Sequence, residues 1–220
     1  MLRATLKGLL GHKLRLIITA LAVTLGVAFV SGTFVLTDTI NNTFDKLFGE
    51  VMAGTDVIVR STTLFTHQGG GPGSSGPYGD RDPMPESVLD TVRHVKGVAA
   101  AEPNVQSYAQ MVDKGGKTIG GHGPPTFGVA WSDNFRLSPL RLRSGRAPHD
   151  RRDVVIDAVT ARDSHYKVGD RMKILFQGPA EEFTVVGVAG FGSADNLGGA
   201  TLAAFDLRTA QRVLGRVGRV

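Results

Sequence analysis

Between Leu16 and Thr37 the chain runs for 22 residues without a charge, LIITALAVTLGVAFVSGTFVLT. As a helix rising 1.5 Å per residue, that run would be about 33 Å long, enough to cross the hydrocarbon core of a bilayer. Val, Ile and Thr are poor helix formers in water. In lipid, however, backbone N–H and C=O groups must pair within the segment, which enforces a helix. Two other readings compete with a membrane anchor. A cleaved signal peptide would have a shorter apolar run and a small-residue site at its far end, whereas Ala20-Leu21-Ala22 sits only five residues in. A buried core helix of this length would normally show a polar face. The pattern therefore predicts a transmembrane helix over residues 16–37. Ala22 and Gly26, and again Ala28 and Gly32, are small residues four apart, a spacing that lets a second helix approach closely.

Both flanks continue a helical pattern. Leu2, Leu6, Leu9, Leu10 and Leu14 recur at helical spacing with Arg3, Lys7 and Lys13 between them. This predicts a basic amphipathic helix over residues 1–15, seated at the membrane interface through Leu6, Leu10 and Leu14. Beyond Asp38, Ile40, Phe44, Leu47, Phe48 and Val51 again share one face as far as Gly54. They predict a helical stalk over residues 38–54, with Ile40, Phe44, Leu47 and Phe48 needing a surface to pack on. Asn41-Asn42-Thr43 has the form of a glycosylation sequon and is taken as chance.

Past Gly54 the period changes. Thr55–Ser61 alternates and is β-branched, predicting a strand. Residues 66–83 are rich in Gly, Ser and Pro and read as a flexible loop. Pro85 and Glu86 open a helix with Val88, Val92 and Val95 on one face as far as Gly97. A strand follows over Val105–Asp113, turning at Lys114-Gly115-Gly116. This β-α-β-β order is an α+β pattern. Further strands are expected at Thr126–Trp131, Asp153–Asp157, Arg171–Phe176 and Glu182–Gly190, with Val168-Gly169-Asp170 as the turn into the third of these. Val154-Val155-Ile156 and Val185-Val186-Gly187-Val188 are apolar without interruption and call for burial on both faces. Asp206 reads as the N-cap of a last helix, with Leu207, Ala210, Val213, Leu214 and Val217 on its inner side. Arg208, Arg212 and Arg216 then form a solvated stripe.

Charge changes the picture through its location. The 220 residues carry 25 basic and 20 acidic side chains, a net +5. Residues 1–37 hold four bases (Arg3, Lys7, Lys13, Arg15) and no acid, so +4 of the excess precedes or lies within the apolar run. By the positive-inside rule this places the N-terminus in the cytoplasm and the bulk of the chain outside. A remainder so near neutrality has no electrostatic footprint for nucleic acid. The 29 glycines and 10 prolines suit a turn-rich α+β domain, and the absence of cysteine excludes a disulfide scaffold, a thiolate zinc site and a cysteine nucleophile.

Candidate chemistry is sparse. Gly116-Lys117-Thr118 ends like a phosphate loop, but Met111 stands where the first glycine is needed and a hairpin is expected there. The six histidines are scattered without metal-binding spacing. Asp163-Ser164-His165 holds triad residue types, but sequence neighbours cannot form a relay. Glu181-Glu182 and Asp150/Asp153 read as ordinary surface acids. The sequence predicts no catalytic residue, no metal and no cofactor, and hence no enzyme.

The opening LRATLKGLLGHKLRLIITALAVTLGVAFVSGTFVLTDTI resembles that of the MacB/FtsX-like ABC transporter permeases, especially their long actinobacterial members. So do FDKLFGEVMAGTDVIVRS, LDTVRHVKGVAAAEP, VQSYAQMVDKGGKTIG, LRSGRAPHDRRDVVID, KVGDRMKILFQGPAEEFTVVGVAGFGSADNLGGAT and the AQRVLG helix. The resemblance covers nearly the whole chain in order. It implies an α+β fold class: an N-terminal membrane helix and stalk, then an extracytoplasmic, porter-like α+β part with a β-rich lobe, a MacB-like core domain over residues 55–220. It also implies a dimer of permeases and a separate cytoplasmic ABC ATPase whose closure is transmitted through the helices. Family members have further membrane helices, so the resemblance predicts that this chain is a fragment or a truncated relative. The other reading is a stand-alone, single-pass anchored binding or adaptor domain.

Overall fold

The computed structural model describes residues 13–52, 54–61, 83–120 and 124–220. The chain divides into two units, Met1–Phe48 and Gly49–Val220. One helix, α1, begins at Lys13 and continues to Met52, 40 residues without a break. It takes in the predicted anchor and stalk together. Leu2, Leu6, Leu9 and Leu10 lie outside the described residues. Threonine hydroxyls along α1 are satisfied within the helix itself. Thr19, Thr24, Thr33 and Thr39 donate to the carbonyls of Arg15, Ala20, Phe29 and Val35 at 2.7–2.9 Å. Four apolar-facing hydroxyls thus need no water. Beyond the helix, Gly54 has a φ of +94°, which suits glycine. A Cβ there would lie 2.2 Å from the Arg136 carbonyl oxygen, so no other residue fits.

The predicted strand over Thr55–Ser61 is not formed. The segment is extended, but none of the described strands pairs with it, and Val57 is 77% exposed. Alternation prepares a chain to present one face. A strand also needs a neighbouring backbone to take up its hydrogen bonds. The predicted helix from Pro85 is shorter than its pattern, α2 at Ser87–Arg93. Val88 and Val92 are half-buried, and Val95 lies beyond the helix and is exposed. The predicted loop at 66–83 falls almost wholly outside the described residues.

The strands are β1 (Gln106–Tyr108), β2 (Gln110–Met111), β3 (Thr126–Ala130), β4 (Leu140–Gly145), β5 (Asp153–Asp157), β6 (Arg171–Leu175), β7 (Glu181–Phe191) and β8 (Thr201–Phe205). Helix α3 (Ala158–Asp163) follows β5, and α4 (Leu207–Val213) follows β8. They form one mixed sheet in the order β1-β3-β8-β5-β7-β6-β2, with β4 joined to β7 off that path. β3 runs parallel to β8 and β5 parallel to β7, while the other pairs are antiparallel. The two ends of this order, β1 and β2, are separated in the chain by Ala109 alone. One short segment therefore pairs with both margins, and the sheet closes on itself.

Closure fixes where the core lies. Met111, Val154, Ile156, Met172, Ile174, Phe183, Val185, Ala203 and Phe205 belong to one buried cluster, joined by Ala210, Val213 and Leu214 of α4. Trp131, Leu140, Val155, Val186, Leu202 and Ala204 form a second cluster on the other side of the sheet. Adjacent residues of β5 and β8 alternate between the clusters, so both strands are buried throughout. That is the burial on two faces predicted for Val154-Val155-Ile156. In β7 a bulge at Val186, between the Val154–Val185 and Val155–Gly187 pairs, shifts the alternation.

Two features escaped the periodicity. β8, TLAAF, is alanine-rich, and β4 interleaves leucine with arginine. Alanine is a weak strand former, and β8 is a strand because β3 and β5 lie on either side of it.

Candidate functional site

Helix α1 offers one kind of surface and the closed sheet another. Over Ile17–Thr39 the helix is apolar enough to span a membrane, and none of that window is buried in the structure. That exposure sets α1 apart from a core helix, which would be covered. Ile17, Ile18, Val27, Phe29, Val30 and Val35 are each more than half exposed, and at 100° per residue they point in all directions around the axis. Such a surface is stable where lipid or other apolar helices replace water.

A Cβ built at Gly26 or Gly32 would touch nothing, so both notches stand open. At 100° per residue the Ala22/Gly26 pair and the Ala28/Gly32 pair face directions about 120° apart. The four predicted packing residues therefore make two notches on two faces and not a single seam. Leu14 is 74% exposed, while Leu6 and Leu10 lie outside the described residues. The helix passes through Ile40, Phe44, Leu47 and Phe48 without interruption.

In the second unit, the residues with candidate chemistry hold structure together. The hairpin at Lys114-Gly115-Gly116 forms as predicted, with Val112 bridged to Thr118. Asp113 Oδ1 accepts the amides of Gly115 and Lys117, each at 2.8 Å. The turn amides near Gly116-Lys117-Thr118 are thus already engaged. Lys114 Nζ donates to Asp170 Oδ2 at 2.7 Å and lies over the Tyr166 ring. The Tyr166 hydroxyl donates to the Val112 carbonyl at 2.8 Å. This clamps the hairpin to the 167–170 turn. Burial, with help from the Asp113 and Asp170 carboxylates, pushes the Tyr166 phenol up. Asp163 pairs with Arg162 at 3.2 Å, and His165 adopts φ +56°, so the Asp163-Ser164-His165 run forms a helix end. Among the described residues no cluster of His, Asp or Glu is arranged to hold a metal ion.

Three readings of surface residues need correction. Asp153 is 5% exposed and accepts from Arg146 Nη1 at 2.6 Å and from the amides of His149 and Asp150 at 3.1 Å. It is a structural acid. Arg212 is an ion-pair partner of Glu181 on β7, not part of a fully solvated stripe. Val217 is 76% exposed, not on the buried side of α4. In each case the partner is distant in sequence or the helix has already ended, and periodicity sees neither. Asp206 does cap α4, accepting from the amides of Arg208 and Thr209.

The same packing makes Asp157 structural and escaped the sequence reading. It is 1% exposed, caps α3 by accepting from the Thr160 amide at 2.8 Å, and accepts from the Leu202 amide at 2.9 Å. Burial raises its carboxyl above the ordinary value against those hydrogen bonds. For Asp153 burial also works upward, but Arg146 and the two amides outweigh it and hold the carboxyl low. The linkage signs are opposite. Asp153 contributes stability that is complete above an unfolded pKa of about 3.9 and is lost as pH falls through its lower folded value. Ionised Asp157 opposes folding, and that penalty is relieved as pH falls from its raised folded value towards about 3.9. Asp153→Asn is therefore expected to lower the urea midpoint at neutral pH, with the gap from the parent protein narrowing as pH falls below about 3.9. A difference that stays constant with pH would remove Asp153 from this role.

A family model, the MacB-like periplasmic core domain, matches residues 16–219. Among solved structures, a domain of a Porphyromonas gingivalis protein described as a permease is similar over 58% of this chain at 15% identity, with a TM-score of 0.35. The similarity spans 62% of that domain, and a likeness this distant carries no weight by itself. The curated proteins contain no match. With its apolar N-terminal helix, its α+β unit and a family match running nearly from end to end, the chain belongs to the family of the MacB-like periplasmic core domain, a permease-type domain of ABC transporters.

Proposed function

We propose that this chain acts as a permease subunit, or its N-terminal piece, that couples ATP hydrolysis by a cytoplasmic ABC ATPase to an extracytoplasmic domain. The observation that carries the reading is α1. One unbroken helix of 40 residues, about 60 Å at 1.5 Å per residue, holds both the apolar span and the polar stalk. A continuous helix transmits displacement along its axis, where a flexible linker would absorb it. The family match and the placement of basic residues ahead of the span support a membrane location with the N-terminus inside. In this reading two permease copies face each other, with Ala22/Gly26 and Ala28/Gly32 as close-packing notches. Leu6, Leu10 and Leu14 seat the interfacial helix, and Ile40, Phe44, Leu47 and Phe48 give the stalk its packing face. The chain transmits force for export or mechanotransmission and does no covalent chemistry itself.

The test is co-purification of the complete gene product from native membranes in a mild detergent. An ABC ATPase is expected in the complex. Gly26→Leu with Gly32→Leu is expected to reduce its recovery about tenfold, since bulky side chains block close helix approach. The thermal transition of the closed sheet should not move, because nothing lies within 4 Å of either added Cβ. Absence of any ATPase from the purified complex defeats the reading.

A further inference from the structure

The last turn of α1 belongs to the second unit, which begins at Gly49. Two positions past its end, Gly54 lies against the main chain of Arg136, in the connection between β3 and β4. Its φ is +94°, and a Cβ there would collide with the Arg136 carbonyl oxygen and stand 3.2 Å from the carbonyl carbon. The obstacle is main chain, so it cannot swing aside as a flexible side chain would. Gly97, at φ +98°, has nothing within 4 Å of an added Cβ. Gly97 only turns the chain, whereas Gly54 also admits a neighbouring backbone.

The connection that meets Gly54 is braced along its length, although loops are ordinarily the most mobile part of a fold. Its ends are rooted in the second buried cluster, at Trp131 just after β3 and at Leu140, the first residue of β4. The Trp131 amide donates to the Phe205 carbonyl at 2.7 Å, and its indole N–H donates to Asp133 Oδ1 at 3.0 Å. Asn134 closes the turn. Its side chain accepts from the Arg136 amide at 3.1 Å, and its carbonyl accepts from the Leu137 and Ser138 amides at 3.0 and 2.9 Å. The Arg141 guanidinium donates to the carbonyls of Phe135, Ser138 and Leu140 and stands over the Phe135 ring. A rigid fork of donors shared among three carbonyls of one short segment fixes its main chain.

We propose that residues 132–138 are the seat through which α1 acts on the closed sheet, with Gly54 as the positioning residue that lets the end of the stalk bear on the Arg136 main chain. The seat has this role only if α1 couples an ATPase to the sheet, the reading it rests on. A displacement carried along α1 reaches the sheet where the two meet through parts that do not yield. A soft connection would absorb it. The braced turn passes it to β3, which is paired with β1 and β8, and to β4, which is paired with β7. Displacement at one point thus enters the closed sheet through two separate strands.

The test is hydrogen exchange, read by mass spectrometry on the complete gene product co-purified with the ATPase in a mild detergent, with and without ATP and vanadate. The peptide over residues 132–138 is expected to change its exchange about tenfold on adding nucleotide, while β5 and β8 do not change. A Gly-Ser insertion after Met52 leaves Gly54 and the turn in place but is expected to abolish that response, with ATPase recovery unchanged. Gly54→Ala is expected to raise exchange of the turn about tenfold without nucleotide. Gly97→Ala, strained alike but free of contact, should leave it unchanged. The insertion decides the matter if Gly54→Ala folds poorly. An unresponsive turn in a complex that retains its ATPase, a response that survives the insertion, or an equal change in β5 and β8 would overturn the seat and leave the coupling reading standing. A preparation without ATPase would overturn the coupling reading, and the seat with it.

Discussion

Phe205→Ala is expected to destabilise the folded unit by about 3–5 kcal/mol, the cost of emptying a fully buried aromatic site. Phe205 is 0% exposed. Its ring centroid stands 4.9 Å from that of Phe183 and 5.9 Å from that of Phe176, both tilted contacts. It lies on β8, between β3 and β5, so the strand cannot shift to refill the space without disturbing two ladders. Its carbonyl also accepts from the Trp131 amide at 2.7 Å, which fixes the backbone around the cavity. In a folded unit of this size the transition should fall by about 6–20 °C. Urea or thermal unfolding of the full-length protein in neutral detergent measures it. Val57→Ala, at a site 77% exposed, should stay within about 0.5 kcal/mol and serves as the control. A loss under about 1 kcal/mol at Phe205 would mean that the closed sheet does not carry its core where β5, β7 and β8 meet.

The second large effect concerns the anchor. Leu25→Arg combined with Phe29→Arg places two guanidinium groups near the middle of the apolar span. Leu25 and Phe29 are 68% and 76% exposed in the structure, so neither substitution disturbs internal packing. Each arginine is expected to cost about 2.5–3.5 kcal/mol of insertion free energy at the centre of a membrane helix. Together they should move most of the protein from the carbonate-washed membrane fraction to the soluble or aggregated fraction. Thr24 and Thr33 can stay, because their hydroxyls already bond to Ala20 and Phe29 carbonyls within the helix. If the doubly substituted protein remained in washed membranes like its parent, α1 would not be the anchor.

These two experiments probe opposite kinds of burial. Phe205 is covered by its own chain, so its contribution appears in unfolding. Leu25 and Phe29 stay largely exposed among the described residues, so theirs appears only where another apolar phase is supplied. The acidic residues divide in a similar way. Asp153 is stabilised as an anion by Arg146 and two amides, whereas Asp157 is carried into the core as a cap for α3 and a tie to β8. Both were simply acids in the sequence, and the difference between them depends on residues up to 45 positions away.

Local patterns were enough for much of this protein. A charge-free run of 22 residues with bases ahead of it marks a membrane-length helix. Uninterrupted Val and Ile mark β5 and β7, Asp206 marks the start of α4, and Gly115-Gly116 marks the hairpin. Each depends on the few residues around it, since helix period, strand period, caps and turns are short-range properties of the chain. Tertiary structure alone decided which extended segments became strands. TLAAF is one because β3 and β5 flank it, while Thr55–Ser61, with the better strand composition, pairs with none of the described strands. It also decided that β1 and β2 close the sheet. A ladder hydrogen bond needs a second backbone, and nothing in a strand's own residues says where that backbone will come from.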